Sequence, residues 1–183
     1  MTAPWNSGLP VAVELGGEEY SIRSDYRVAL DIFLALSDCE LSEYEKAYVV
    51  LTIFYEKEIP TDLWQEALNK CFWFLRGGEE EKKENSPKLV SWEQDFNIIA
   101  APISKIVGQD IRGMEYLHWW TFLSAYMGIG DCLFAQVVRI RDLKARGKKM
   151  DKQDREFYRR NRDLIDIKVK TTDAEEKLFA EWM

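Results

Sequence analysis

The chain has 183 residues, 46% hydrophobic and 13% aromatic, a composition that excludes intrinsic disorder and fits one folded domain. Its net charge of −7 disfavours generic attraction to nucleic acid or anionic lipid. Cys39, Cys71 and Cys132 are odd in number and widely spaced, which excludes a disulfide framework and matches no zinc-site spacing.

Residues 10–23 read as a hairpin: Val11, Val13 and Leu15 alternate with polar or small neighbours, Gly16-Gly17 supplies the turn, and Tyr20 and Ile22 resume the alternation. A helix follows from about Tyr26, capped by Ser24 or Asp25, with Tyr26, Ala29, Leu30, Phe33 and Leu36 as its stripe. Ser42 and Glu45 form a capping box for a second helix, whose inner face is expected to be Tyr44, Ala47, Tyr48, Leu51 and Tyr55. Pro60-Thr61 breaks and restarts the chain. Trp64, Ala67, Leu68, Cys71, Phe72 and Leu75 then continue the helical pattern to Gly77, a helix stop. Residues 78–88 are a polar connector.

Ser91 and Gln94 form another capping box, before a seam of Trp92, Phe96, Ile99, Ile103 and Ile106. Pro102 lies inside the seam and should kink or break it. The run from Met114 to Met127 is apolar nearly all round, which predicts a central helix. Gly128 and Gly130 stop it, and Asp131 is placed to cap the next helix, carrying Leu133, Phe134, Val137, Val138 and Arg141. Residues 144–150 read as a basic loop. Asp151 to Ile165 reads as a surface helix or projecting arm. Thr172 and Glu175 cap a short C-terminal helix with Ala174, Leu178 and Trp182 on one face.

These elements predict a mainly α fold: a compact multi-helix domain with a short N-terminal β-hairpin. It forms a single helical domain over 1–183, with the hairpin at 10–23, a helical core over 24–142, and a basic surface helix and amphipathic C-terminal helix over 143–183. Each cysteine falls in or beside an apolar helical pattern, so buried thiols in a reducing compartment are expected. The start, MTAPWNSGLP, lacks the basic and apolar regions of a secretory signal, and no apolar run approaches the ~20 residues that span a bilayer. A cytoplasmic protein with no membrane partner is the expectation.

No catalytic constellation is visible, and no cofactor or metal is expected. His118 is the only histidine. Between Leu117 and Trp119 it reads as a core or interface histidine whose ring nitrogens find backbone or carboxylate partners, and Glu115 at i−3 fits a helix-surface pair better than a dyad. Charge is uneven: Arg139 to Asp163 holds 11 Lys/Arg and 5 Asp/Glu, leaving 14 basic and 27 acidic residues elsewhere. Interspersed signs in that segment point to a solvated or protein-binding helix and away from nucleic acid. Adjacent tryptophans on a helix point about 100° apart, so Trp119 and Trp120 are both buried only if the helix is covered on two sides. Otherwise one is an interface anchor.

Ser24-Asp25-Tyr26-Arg27, Trp92-Glu93-Gln94-Asp95, Leu117-His118-Trp119-Trp120-Thr121-Phe122, and Arg139 with its basic continuation together resemble the bacteriophage gene-product-fifteen family, tail-region proteins of phages and prophages of Gram-positive bacteria. The resemblance covers about residues 10–165 and implies a non-enzymatic tail-assembly role. The expected activity is that of a chaperone-like factor which binds the tape measure protein, or another tail protein, in the host cytoplasm. The alternative is a structural tail component, virion-associated, or a self-associating module, so a homo-oligomer is also open. The family supplies no functional residues. From the residues themselves, Tyr116, His118, Trp119, Trp120, Arg139, Arg141, Arg159, Arg160 and Trp182 are the candidate partner-binding set.

Overall fold

The computed structural model describes residues 8–80 and 87–168. Among the described residues the fold is mainly helical, with one β-hairpin. Strands β1 (Ala12–Leu15) and β2 (Glu18–Ser21) pair antiparallel, with Leu15 opposite Glu18. Gly16 and Gly17 both adopt positive φ (56° and 85°), the requirement of a two-residue hairpin turn that matches strand twist. The helices are α1 (Tyr26–Leu36), α2 (Glu43–Phe54), α3 (Trp64–Leu75), α4 (Trp92–Val107), α5 (Trp119–Met127), α6 (Leu133–Ala145), α7 (Lys152–Arg160) and α8 (Arg162–Ile165). The described residues divide into two compact units: 8–80 with 115–123, and 87–114 with 124–168.

In the first unit the hairpin leads into α1, and α2 and α3 complete a helical cluster. Asp25 caps α1 by accepting from the Arg27 amide. Ser42 and Glu45 make both bonds of the expected capping box on α2. The core holds Leu15, Tyr26, Ile32, Phe54, Phe74 and Trp119. On α2 the buried face is Val50, Leu51 and Phe54, with Tyr55 at the C-cap, whereas Tyr44 and Tyr48 are exposed. The inner face expected to include those two tyrosines therefore holds only toward the end of the helix. Arg23 closes that end: its Nη1 donates to the carbonyls of Thr52 (2.8 Å), Ile53 (2.9 Å) and Tyr55, groups a helix C-terminus leaves without partners.

In the second unit α4 stays helical through Pro102, although proline cannot donate to the carbonyl one turn back. The helix ends at Gly108, whose φ of 84° suits a residue without Cβ. Helix α6 runs on to Ala145, two residues into the segment expected to be loop. Its N-cap is Cys132, with no side-chain bond, so Asp131 does not cap it. The expected 151–165 helix divides at Asn161 into α7 and α8. It is not a projecting arm: Val137, Ile140 and Ile165 form a core against which Phe157, Tyr158 and Leu164 pack.

The largest departure from the sequence reading lies at 114–118. The helix expected from Met114 begins only at Trp119. Asp25 and His118 form an antiparallel bridge, with the Tyr26 amide donating to the Leu117 carbonyl at 2.9 Å and the Trp119 amide to Ser24 at 2.8 Å. Pairing with a distant segment satisfies these backbone groups and overrides the local helical pattern.

Candidate functional site

Two buried constellations organise the candidate residues, one in each unit. In the first unit, residues 115–118 lie along the start of α1. The Asp25 carboxylate accepts from the Leu117 amide (2.9 Å) as well as from Arg27. Ser24 Oγ and the Tyr116 hydroxyl share a hydrogen bond of 2.8 Å. The Tyr26 ring stacks on Phe122 with centroids 4.8 Å apart and planes 4° from parallel, and the Arg27 guanidinium sits over the Tyr26 ring.

His118 works as the N-cap of α5. Its Nδ1 lies 3.0 Å from the Trp120 amide and its Nε2 3.0 Å from the Pro10 carbonyl. An amide can only donate and a carbonyl can only accept, so Nδ1 accepts and Nε2 carries the proton. Both ring nitrogens hold backbone, and the residue is buried. The next two side chains finish a different helix. Trp119 Nε1 donates to the Leu75 carbonyl (3.0 Å) and Trp120 Nε1 to the Phe74 carbonyl (2.9 Å), which also accepts the Gly77 amide at 3.0 Å, at the carbonyl end of α3. The chain then turns through Gly78 at φ 87°, where an added Cβ would lie 2.9 Å from Trp120 Cη2.

In the second unit the centre is Arg141, buried on α6. Nη1 and Nη2 pair with the two oxygens of buried Asp95 at 2.6 and 2.9 Å. Nε donates to Ile165 (2.7 Å), Nη1 also to Leu89 (2.9 Å), and Nη2 also to Leu164 (2.7 Å). All five guanidinium donors are used, in the fork geometry that lysine lacks. Asp95 further accepts from the Ser91 amide at 2.9 Å. The expected Ser91–Gln94 capping box is therefore half realised: Ser91 accepts from the Gln94 amide, but Asp95 gives the return bond. The Gln94 side chain instead reaches the carbonyls of Leu164 (3.2 Å) and Asp166 (3.1 Å), and accepts from the Lys168 amide.

The candidate set therefore splits by exposure. His118 and Trp119 are buried in the first unit and Arg141 in the second, while Trp120 is half-buried. These four build structure. Tyr116, Arg139, Arg159 and Arg160 are exposed. Trp182 lies outside the described residues. Asp95, part of the Trp92–Asp95 motif, is outside the candidate set, although Arg141 falls on the stripe of Phe134 and Val137 and so announces a buried charge in need of an acid. Among the thiols Cys71 is buried, and burial pushes its pKa up to about 12, whereas Cys39 is exposed and Cys132 half-buried. That corrects the expectation of three buried thiols. Cys39 lies just past the end of α1, in the turn before α2, so the apolar stripe does not reach it.

Two surfaces of the described residues group exposed apolar or aromatic side chains. Around the turn at 128–132, Met127 (73% exposed), Ile106 (48%) and Leu133 (42%) present apolar side chains, and a Cβ at Gly128 would lie 3.6 Å from Ile106 Cδ1. On α2, exposed Tyr44 and Tyr48 flank Trp64. Among the described residues no group of three or more His, Cys, Asp or Glu could hold a metal ion, and no helix is long and apolar enough to cross a membrane. The family model described as Bacteriophage Gp15 protein matches residues 5–167. No curated protein and no solved structure matches the chain.

Proposed function

Since the chain belongs to the bacteriophage Gp15 family, we propose that it is a non-enzymatic tail-assembly factor that binds another tail protein, the tape measure foremost, in the host cytoplasm. The observation that carries this reading is the apolar trio Ile106, Met127 and Leu133 around one turn of the second unit. Scattered apolar side chains are ordinary on a surface. Three around a single turn suit an amphipathic helix laid across them. The non-enzymatic part is supported by His118, whose ring nitrogens both hold backbone, and by Cys71, whose raised pKa is the wrong direction for a nucleophile.

Co-expression with each tail protein of the same phage, followed by affinity capture, tests the proposal. The tape measure should be retained, and Met127→Lys with Leu133→Lys should reduce retention at least tenfold while helix content stays unchanged. Capture of no tail protein refutes the binding role. Mass spectrometry of purified virions tests the chaperone part: an assembly factor should be absent from finished particles, and stoichiometric presence would overturn it.

A further inference from the structure

Charge is divided between the two units. The first, 8–80 with 115–123, holds 6 Lys/Arg and 16 Asp/Glu, a net −10. The second, 87–114 with 124–168, holds 15 and 10, a net +5. Each unit also presents one face whose chemistry suits the other sign.

On the acidic unit, Tyr44 and Tyr48 stand one turn apart on α2, 68% and 51% exposed. Their ring centroids lie 5.3 and 6.1 Å from that of Trp64. The Trp64 indole is already oriented, because its Nε1 donates to the Ile59 carbonyl at 3.0 Å. Tyr48 and Trp64 also wall a cleft of about 270 Å³ with Glu56 and Glu58. Lys57 and Arg23 line it too, but the Arg23 Nη1 is turned to the carbonyls at the end of α2. Aromatic faces attract cations, and a carboxylate alongside accepts the guanidinium fork. The face is suited to arginine.

On the basic unit, a groove of about 550 Å³ beside α6 and α7 is lined by Arg139, Arg160 and Phe157. Arg139 and Arg160 pair with Asp154 and Glu156, yet their side chains stay 57% and 70% exposed. Glu156 is exposed as well, so Arg160 exchanges partners at little cost, whereas Asp154 is buried and keeps Arg139. Arg159, on the same helix, makes no ion pair among the described residues and is exposed.

We propose that the aromatic, acidic face of one copy receives the arginine face of α6–α7 on a second copy, so that the chain self-associates head to tail. The two faces are different surfaces, so the contact is heterologous and can propagate beyond a dimer. Neither face includes the apolar turn assigned above to a tail protein, and the inference stands whether or not that assignment holds.

Sedimentation velocity of the full chain against concentration tests it. The sedimentation coefficient should rise with concentration at low salt and stop rising at about 1 M salt, where the screening length is roughly 3 Å. Tyr44→Ser with Tyr48→Ser, and separately Arg159→Glu with Arg160→Glu, should each be monomeric with unchanged helix content. Glu58→Lys probes the first face without touching a helix. Each double variant keeps one intact face, so an equimolar mixture of the two should form dimers and go no further. A parent chain that stays monomeric at low salt, or association that none of these substitutions weakens, or a mixture that does not dimerise, overturns the proposal.

Discussion

Replacing Arg141 with lysine keeps the charge and most of the volume, and it should still be among the most damaging conservative changes in the chain. The guanidinium makes five hydrogen bonds: two to Asp95 and one each to Leu89, Leu164 and Ile165. An ammonium has three donors, so at least two bonds disappear. Hydrogen bonds to charged groups contribute about 1.5–3 kcal/mol each, giving an expected loss of about 3–6 kcal/mol. For a chain of this size that is a melting-point drop of about 6–24 °C. Arg141→Met removes the cation altogether and leaves the Asp95 carboxylate buried with the Ser91 amide, a change expected to cost about 3–5 kcal/mol. Combining it with Asp95→Leu should recover part of that, but not all, because three backbone carbonyls still lack their donor. Thermal melts by far-ultraviolet circular dichroism measure the losses. Fluorescence of Trp92, packed on Tyr126 in the same unit, places them in that unit. A lysine variant melting within about 2 °C of the parent would refute the donor-counting argument.

Gly78→Ala should destabilise more than Gly17→Ala. Both positions have positive φ, costing about 1–2 kcal/mol for a residue with Cβ, but only at Gly78 does the new Cβ meet the Trp120 ring, at 2.9 Å, while Gly17 has open space. Urea unfolding of the two variants gives the difference, and equal midpoints would show that the ring yields freely. A thiol reagent on the native protein should label exposed Cys39 first and reach Cys71 only on unfolding, since burial holds that thiol up at about 12. Labelling of all three thiols at one rate would contradict this. Hydrogen bonds from Arg139 and Lys144 hold the carboxyls of Asp154 and Asp166 below the ordinary range. Their stabilisation is therefore complete above the unfolded carboxylate pKa of about 4 and declines as pH falls through the lower folded values. The urea midpoint should drop between about pH 5 and pH 2, with a shallower slope in Asp166→Asn. An unchanged slope would remove Asp166 from the account.

Local signals were readable from the residues. The Gly16-Gly17 turn, the Ser42–Glu45 box and the stop at Gly77 each depend on neighbours a few positions away, and each appears as expected. What escaped depends on contacts between distant positions. Leu117 and His118 sit in an apolar run that suits a helix, yet they are extended because Ser24, Asp25 and Tyr26 offer backbone partners. Asp95 and Arg141 are 46 residues apart, and only the position of Arg141 on an apolar stripe hinted at the pair. Tyr44 and Tyr48 obey the helical spacing of a core face but stand outside it, because periodicity places residues on a face without saying where the covering ends.

The segment from Glu115 to Leu123 belongs to the first unit although α4 and its neighbours come between. On the ribosome this imposes an order. Trp119 trails Leu75 by 44 residues, and at about 5–20 residues per second the end of α3 waits roughly 2–9 seconds for its indole donor. During that interval the first unit lacks Trp119, the first of its fully buried side chains by volume.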